Sequence, residues 1–311
     1  MTYPIVDVSA WTVVVEEQLG ASEKVWLAAP GVPHTPENRW LFKPVTLHSN
    51  GHMQGGDWAE KISAELAHLL GVPSAVVELG VRSGRAGTLS RNVRPDVEWE
   101  TYTGGLWLDA SANVPFSLNS SVDRVHGATP GYSMQAIHDA LQGVDVPYGT
   151  SVGELDAFGY FTGFLVLDAL VSNRDRHEQN WSVLRHALGR ERTRLAAAYD
   201  NEGSLGYNLL DARRLELLAD RPRFDAFVAR GTAWRFDWEE EPTPSLVEAA
   251  RRAVNLGANA ARDHWCARLD LLDLADVEAI IHAVPGMSEP ARRFARSLIT
   301  TNLGRMRDEI C

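Results

Sequence analysis

The chain has 311 residues, of which 45% are hydrophobic and 23% charged, enough for one large or two-lobed domain with a real core. Its 30 basic against 41 acidic residues leave a net charge of −11, which argues against general nucleic-acid or anionic-membrane binding and confines any phosphate site to a local pocket. No apolar run reaches the roughly 18 residues of a membrane span, and Cys266 and Cys311 stand far apart with no secretion signal in "MTYPIVDVSAWTVVVEEQ". Neither a disulfide framework nor export is therefore expected, and a reduced cytoplasmic setting is the default.

Short segments rich in Val, Leu and Trp and bounded by Gly, Pro or Asn open the chain: "WTVVVEEQ", "EKVWLAA", "RWLFKPVTL", "SAVVELGV" and "AGTLSRNV" read as strands. One helix interrupts them, "GDWAEKISAELAHLLGVP", with Asp57 as its N-cap, an apolar stripe of Trp58, Ile62, Leu66, Leu69 and Leu70, and Gly71 and Pro73 as stop signals. Beyond them the pattern is mostly helical, from "SMQAIHDALQ" through the apolar "FGYFTGFLVLDAL" and "SLVEAARRAVNLGANAARDHW" to "EPARRFARSLITTNLGRMRD". Strands first and helices later predict an α+β chain, with a sheet-rich N-terminal lobe over 1–105 and a helical C-terminal lobe over 106–311.

Behind the buried helix comes "LVSNRDRHEQNW", Leu170 to Trp181, dense in charged and amide side chains. Phosphoryl transfer to a hydroxyl needs a carboxylate to orient or deprotonate the acceptor and oxygen ligands for the magnesium that bridges the phosphates. Asp175 and Asn180 have the Asp-x-x-x-x-Asn spacing that places both on one loop in protein kinases. A polar turn with Asn173 capping the helix is the plainer reading of the same residues. "WSVL" and "RLAAAYD" then read as two strands around the turn "HALGRERT", returning Asp200 beside that loop as a second metal carboxylate, ahead of Gly203 and Gly206. Upstream, Lys43 lies on a strand and the following helix offers Glu60 or Glu65 as its partner. Only Lys24, Lys43 and Lys61 interrupt an otherwise arginine-based cation set, which makes them candidates for places where a compact ammonium is needed, with chance survival as the plainer alternative.

These residues together resemble the HipA-like kinases, and among them the short stand-alone members. "LVSNRDRHEQNWSVL" is similar to that family's Asn-x-Asp-Arg-His-x-x-Asn signature, "AAYDNEGSLG" to its metal-binding Asp and small-residue turn, and "LGASEKVWL" with "RWLFKP" to its phosphate loop and lysine strand. The resemblance implies a two-lobed, protein-kinase-like fold and an ATP- and magnesium-dependent kinase. It makes Asp175 the catalytic base and Asn180 and Asp200 the magnesium ligands. Lys43 would contact the ATP phosphates, Gly20, Ser22 and Lys24 would lie in the phosphate-covering loop, and Glu60, favoured by family spacing over Glu65, would pair with Lys43. The implied acceptor is a protein serine or threonine hydroxyl in a toxin-type setting, with an antitoxin as partner. A small-molecule kinase acting on a nucleoside, sugar or antibiotic precursor, and a nucleotide-binding pseudokinase, are the alternatives.

Other features have simpler readings. Arg176 braces the loop and His177 hydrogen-bonds beneath it, while Ser22, an autophosphorylation site by resemblance, is otherwise a plain turn serine. "FDWEEEPTPSL" is a solvated acidic loop. His264 and Cys266 lack a second pair at metal spacing, and the ten tryptophans fill the core and the contacts between lobes.

Overall fold

The computed structural model describes residues 2–17, 24–49, 51–112, 114–118, 127–150, 155–239 and 242–311. Its N-terminal part is a six-stranded sheet built from β1 (Ile5–Asp7), β2 (Thr12–Glu17), β3 (Lys24–Ala28), β4 (Arg39–Pro44), β5 (Val77–Arg82) and β6 (Arg85–Arg91), in the order β1-β5-β6-β4-β3-β2. All neighbours are antiparallel except β1, which runs parallel to β5 with Val6 opposite Gly80. Val8, Leu27, Phe42 and Leu89 form this sheet's own small core.

Against the sheet lies α1 (Gly56–Leu70), stopped as its sequence predicts by Gly71 in the left-handed conformation at φ 73°. Its N-cap is Gly55 rather than Asp57, a correction. Asp57 is the second residue of the helix, already past the cap position, and burial raises its carboxyl above the usual range. Of the expected stripe, Trp58, Ile62, Leu66 and Leu70 are buried while Leu69 faces outward.

The C-terminal part is organised around α4 (Ala157–Val171), in which every residue is buried. Asp156 caps it by accepting from the Gly159 amide at 2.7 Å. A helix apolar all round has no surface face, and α7 (Leu246–Leu256), α8 (Asn259–Leu271) and α10 (Glu289–Glu309) pack around it. The helical stretch from Ser245 to Trp265 forms two helices, broken at Gly257 and Ala258. α2 (Gly104–Asp109), α3 (Met134–Ala140), α5 (Asp211–Ala219), α6 (Arg221–Ala229) and α9 (Leu274–Ala283) complete the helical set among the described residues. The indoles of Trp181 and Trp265 are fully buried in this core, and Trp265 Nε1 donates to the Gly159 carbonyl at 3.0 Å.

A second, three-stranded sheet of β7 (Trp99–Thr103), β8 (Ser182–His186) and β9 (Arg194–Leu195) carries the returning hairpin read from the sequence. Its strand β7 pairs with β8 across the boundary placed near residue 105. A further correction concerns the cysteines. α8 and the end of α10 lie side by side, Arg262 Nε donates to the Ile310 carbonyl at 2.9 Å, and Cys266 is disulfide-bonded to Cys311 with the Cα atoms 5.4 Å apart. Distance along the sequence hid a closeness that helix packing creates. Among the described residues, no helix is long and apolar enough to cross a membrane.

Candidate active site

The loop after α4 is held from below. Ser172, not Asn173, is the C-cap of α4, in the left-handed conformation at φ 56°, which corrects the capping expectation. Asn173 instead points both ways. Its Nδ2 donates to Asp168 Oδ1 at 2.7 Å, and its Oδ1 accepts from the Asp175 amide at 3.1 Å. Asp168, which breaks the apolar run of α4, receives Arg176 Nε at 2.9 Å and Nη2 at 2.8 Å. The same guanidinium reaches the Asn180 carbonyl at 2.7 Å, the Tyr199 carbonyl at 3.2 Å and Asn201 Oδ1 at 2.6 Å. A buried cation with this many acceptors ties the loop carrying Asp175 to the turn carrying Asp200. Asn180 closes the loop on itself, with Nδ2 donating to the Asp175 carbonyl at 2.8 Å. His177 Nδ1 accepts from the Gln179 amide at 3.1 Å, and burial holds its imidazole below the usual range against the pull of Asp175. Arg176 thus braces the loop as the sequence reading expects, while the hydrogen bond of His177 is made within the loop itself.

Across the cleft the sheet delivers the lysines. Lys43 Nζ donates to Asp200 Oδ1 at 3.0 Å across 157 positions and forms a second, shorter ion pair with Glu202. Lys24, at the start of β3, lies 3.7 Å from Asp200 Oδ2. Burial opposes the charge of Lys43, but Asp200 and Glu202 more than offset it and raise its pKa. Burial likewise works against ionised Asp200, and Lys43 with Lys24 lowers it below the usual carboxylate range. Gly20 and Ser22 lie outside the described residues.

Glu60 does not pair with Lys43, a correction to the expected lysine–glutamate contact. It is 4% exposed, and neither of its carboxylate oxygens has a hydrogen-bond partner. Burial, then the charges of Asp200 and Glu202, push it up to about 8, while Lys43 opposes the rise. Glu65, the alternative, pairs with Lys61 at 2.8 Å. Lys61 itself is structural: its ammonium donates to the Val77 carbonyl at 2.7 Å and to Glu78 at 3.2 Å, fastening α1 to β5.

No family model matches the chain, and no curated protein matches it in sequence. Solved structures do. The structure of CtkA, a proinflammatory kinase of Helicobacter pylori, superposes with a TM-score of 0.72 at 14% identity, covering 99% of this chain and 97% of that one. HipA of Shewanella oneidensis MR-1, solved with HipB and operator DNA, superposes with a TM-score of 0.57 at 12% identity, covering 99% of this chain and 70% of that one. The fold is that of the HipA-like kinases.

Within that HipA-like fold two residues of the site escaped the sequence reading. Glu202 is the second carboxylate on Lys43; its place two residues after Asp200 in "YDNEG" was the one signal for it. Arg235 donates through Nε to Asp175 Oδ1 at 2.7 Å from 60 positions downstream, and nothing local in "TAWRFDW" announces that. Gly203 is a site of close approach: a Cβ there would stand 3.1 Å from both Asn173 Oδ1 and Asp175 Cβ.

Among the described residues, no group of three or more His, Cys, Asp or Glu side chains stands ready to hold a metal. A magnesium site completed by phosphate oxygens needs fewer, typically one or two carboxylates. Asp200 with the Asn180 amide oxygen is a donor set of that hard-oxygen kind. A buried carboxyl beside them is also left without a partner: Glu60, which feels the charges of Asp200, Glu202 and Lys43.

Proposed function

We propose that this chain is an ATP- and magnesium-dependent kinase that transfers the γ-phosphoryl group to a protein serine or threonine hydroxyl. The observation that carries the reading is convergence: Lys43 on β4 meets Asp200 at 3.0 Å, and Arg176 joins that turn to the loop of Asp175 and Asn180. The HipA-like fold supports it, and the filled catalytic positions weigh against a pseudokinase.

Asp175 would accept a hydrogen bond from the acceptor hydroxyl and take its proton as the oxygen attacks phosphorus. Asn173 fixes the backbone at Asp175, so the carboxylate meets the hydroxyl in a preset direction. Lys43 would turn from Asp200 and Glu202 to the phosphates, and Lys24 would follow. Asn180 and Asp200 would hold magnesium, which supplies neutralising charge along the phosphates. The protein acceptor and an antitoxin partner rest on the likeness to HipA, which was solved together with HipB. A cytoplasmic setting belongs to this reading, and there the Cys266–Cys311 pair would stand reduced.

The test follows label from γ-labelled ATP with magnesium, with and without cell lysate, into proteins and small molecules separately. Label in protein supports the reading; label confined to small molecules moves the acceptor to a metabolite, and no label with nucleotide still bound leaves a binding module. Asp175→Asn should leave nucleotide affinity intact and cut turnover by roughly 10² to 10⁴. Asp200→Ala should abolish the magnesium dependence of nucleotide binding in a calorimetric titration.

A further inference from the structure

The carboxylate assigned as the base is engaged by an arginine. Arg235 Nε and Nη2 both address Asp175 Oδ1. The side chain of Arg235 is 17% exposed and that of Asp175 41%, so the pair sits at the mouth of the site. There an ion pair adds little stability. The support built behind Arg235 is out of proportion to that small gain. Its guanidinium lies over the Trp234 ring, 4.0 Å from the centroid. Trp234 in turn packs on Gly127, where a Cβ would come within 2.0 Å of the indole. Flanking residues are pinned as well: Ala233 N donates to the Pro244 carbonyl at 3.0 Å and Asp237 N to the Tyr132 carbonyl at 2.8 Å. Phe236 stacks on Tyr132 at 4.8 Å between centroids, and Tyr132 Oη donates to the Arg176 carbonyl in the loop itself at 3.2 Å. Arg235 is therefore presented to Asp175 by a rigid platform anchored to the same loop.

Charge is divided unevenly around the site. Lys24 and Lys43 face Asp200 and Glu202 on the nucleotide side; the guanidinium in contact with the Asp175 carboxylate is that of Arg235. Resting on the kinase reading above, we propose that Arg235 is a further catalytic residue, pairing with Asp175 at rest and stabilising the transferring phosphoryl group once Asp175 takes the acceptor's proton. In that step the hydroxyl proton passes to Asp175 and the acceptor oxygen forms the new bond to phosphorus. The bond from phosphorus to the bridging oxygen breaks, and its electron pair leaves with ADP. Asp175 is then neutral, so its hold on Arg235 weakens just as negative charge collects on the phosphoryl oxygens. A planar guanidinium fork suits those oxygens, and an arginine supplied from the same chain is a recurring source of transition-state stabilisation in phosphoryl transfer.

The test compares the affinity of the full chain for Mg·ADP alone and for Mg·ADP with aluminium fluoride, a mimic of the phosphoryl group in flight, by calorimetry. Wild-type protein should bind more tightly with the fluoride present. Arg235→Gln should hold Mg·ADP within about threefold of wild type and lose on the order of 10² to 10³ of that tightening. Mg·ADP affinity in the same sample reports folding. Should Arg235→Gln not hold Mg·ADP, Arg235→Lys decides, losing the greater part of the tightening because it keeps the charge without the fork. Full tightening in a variant that still binds Mg·ADP overturns this role and leaves the kinase reading standing, since an arginine that only braced Asp175 would leave the mimic's affinity untouched. Wild-type protein that binds no Mg·ADP overturns both.

Discussion

The two halves of the site are built to different standards of completion. Beneath the loop of Asp175, the guanidinium of Arg176 has acceptors in Asp168, Asn180, Tyr199 and Asn201, all supplied by the chain. Facing the sheet, Lys43 and Lys24 pair with Asp200 and Glu202, and Glu60 is left buried with no partner. A satisfied buried network rigidifies what it holds, while a half-satisfied one is costly. Under the proposed kinase reading, the half that would meet the acceptor is preorganised by the protein, and the half that would meet the nucleotide is arranged for charge that arrives with a ligand.

The largest expected effect breaks the finished half. Asp168→Ala leaves the Arg176 guanidinium buried with its main counter-charge removed, at a cost of roughly 3–5 kcal/mol in stability. Denaturant unfolding measures it, and a loss below about 1 kcal/mol would mean that the network is less closed than its hydrogen bonds indicate. In the unfinished half the signature is in pH. Glu60 is raised to about 8, so the folded chain holds a proton there that the unfolded chain releases near the ordinary glutamate value. That contribution is fully present below about 4.5 and is lost as pH rises through about 8. Wild-type protein should lose a few kcal/mol relative to Glu60→Gln across this window, at about 1.4 kcal/mol for each tenfold difference in proton affinity between the folded and unfolded chain. Parallel curves for the two proteins would remove Glu60 from the charge balance.

How far this difference was legible in the sequence depends on separation along the chain. The loop from Asp175 to Asn180, the helix stop at Gly71, the returning hairpin and the lysine strand were readable because each is local: spacing, punctuation and alternation carry them. Asp57 failed as a cap because the first turn began two residues earlier than the side chain suggested. The pairing of Lys43 with Glu202 and of Arg235 with Asp175 could not be read, since each joins residues brought together only by packing of distant elements. Cys266 and Cys311 fall under the same limit, meeting through the packing of α8 on the end of α10. The missed contacts are those that decide charge balance, so the sequence pointed to the site's inventory better than to its electrostatics.

A smaller effect sharpens the unfinished half. Glu202→Gln removes one of the two carboxylates that engage Lys43, the residue proposed to meet the ATP phosphates. A change of about 1 kcal/mol in effective interaction is a several-fold gain in ATP affinity. Titration of ATP into the two proteins at low and high salt measures it; the gain should shrink with salt if the origin is charge. Equal affinities would show that Lys43 moves to the phosphates without cost from Glu202.

Gly203 is where the halves touch, and the expected effect there is the least in stability. A Cβ at this position would stand 3.1 Å from Asn173 Oδ1 and from Asp175 Cβ, closer than an unstrained contact, so its neighbours must give by a few tenths of an ångström. Asn173 cannot give freely, because its amide group holds both Asp168 and the Asp175 backbone. The displacement therefore falls on Asp175. Gly203→Ala should cost about 1 kcal/mol in stability and roughly tenfold in turnover, through a misplaced carboxylate. Nucleotide affinity, which depends on the other half, should stay near wild type. If affinity falls with turnover, the two halves move as one body, and the division between a finished and an unfinished half does not extend to the proposed activity.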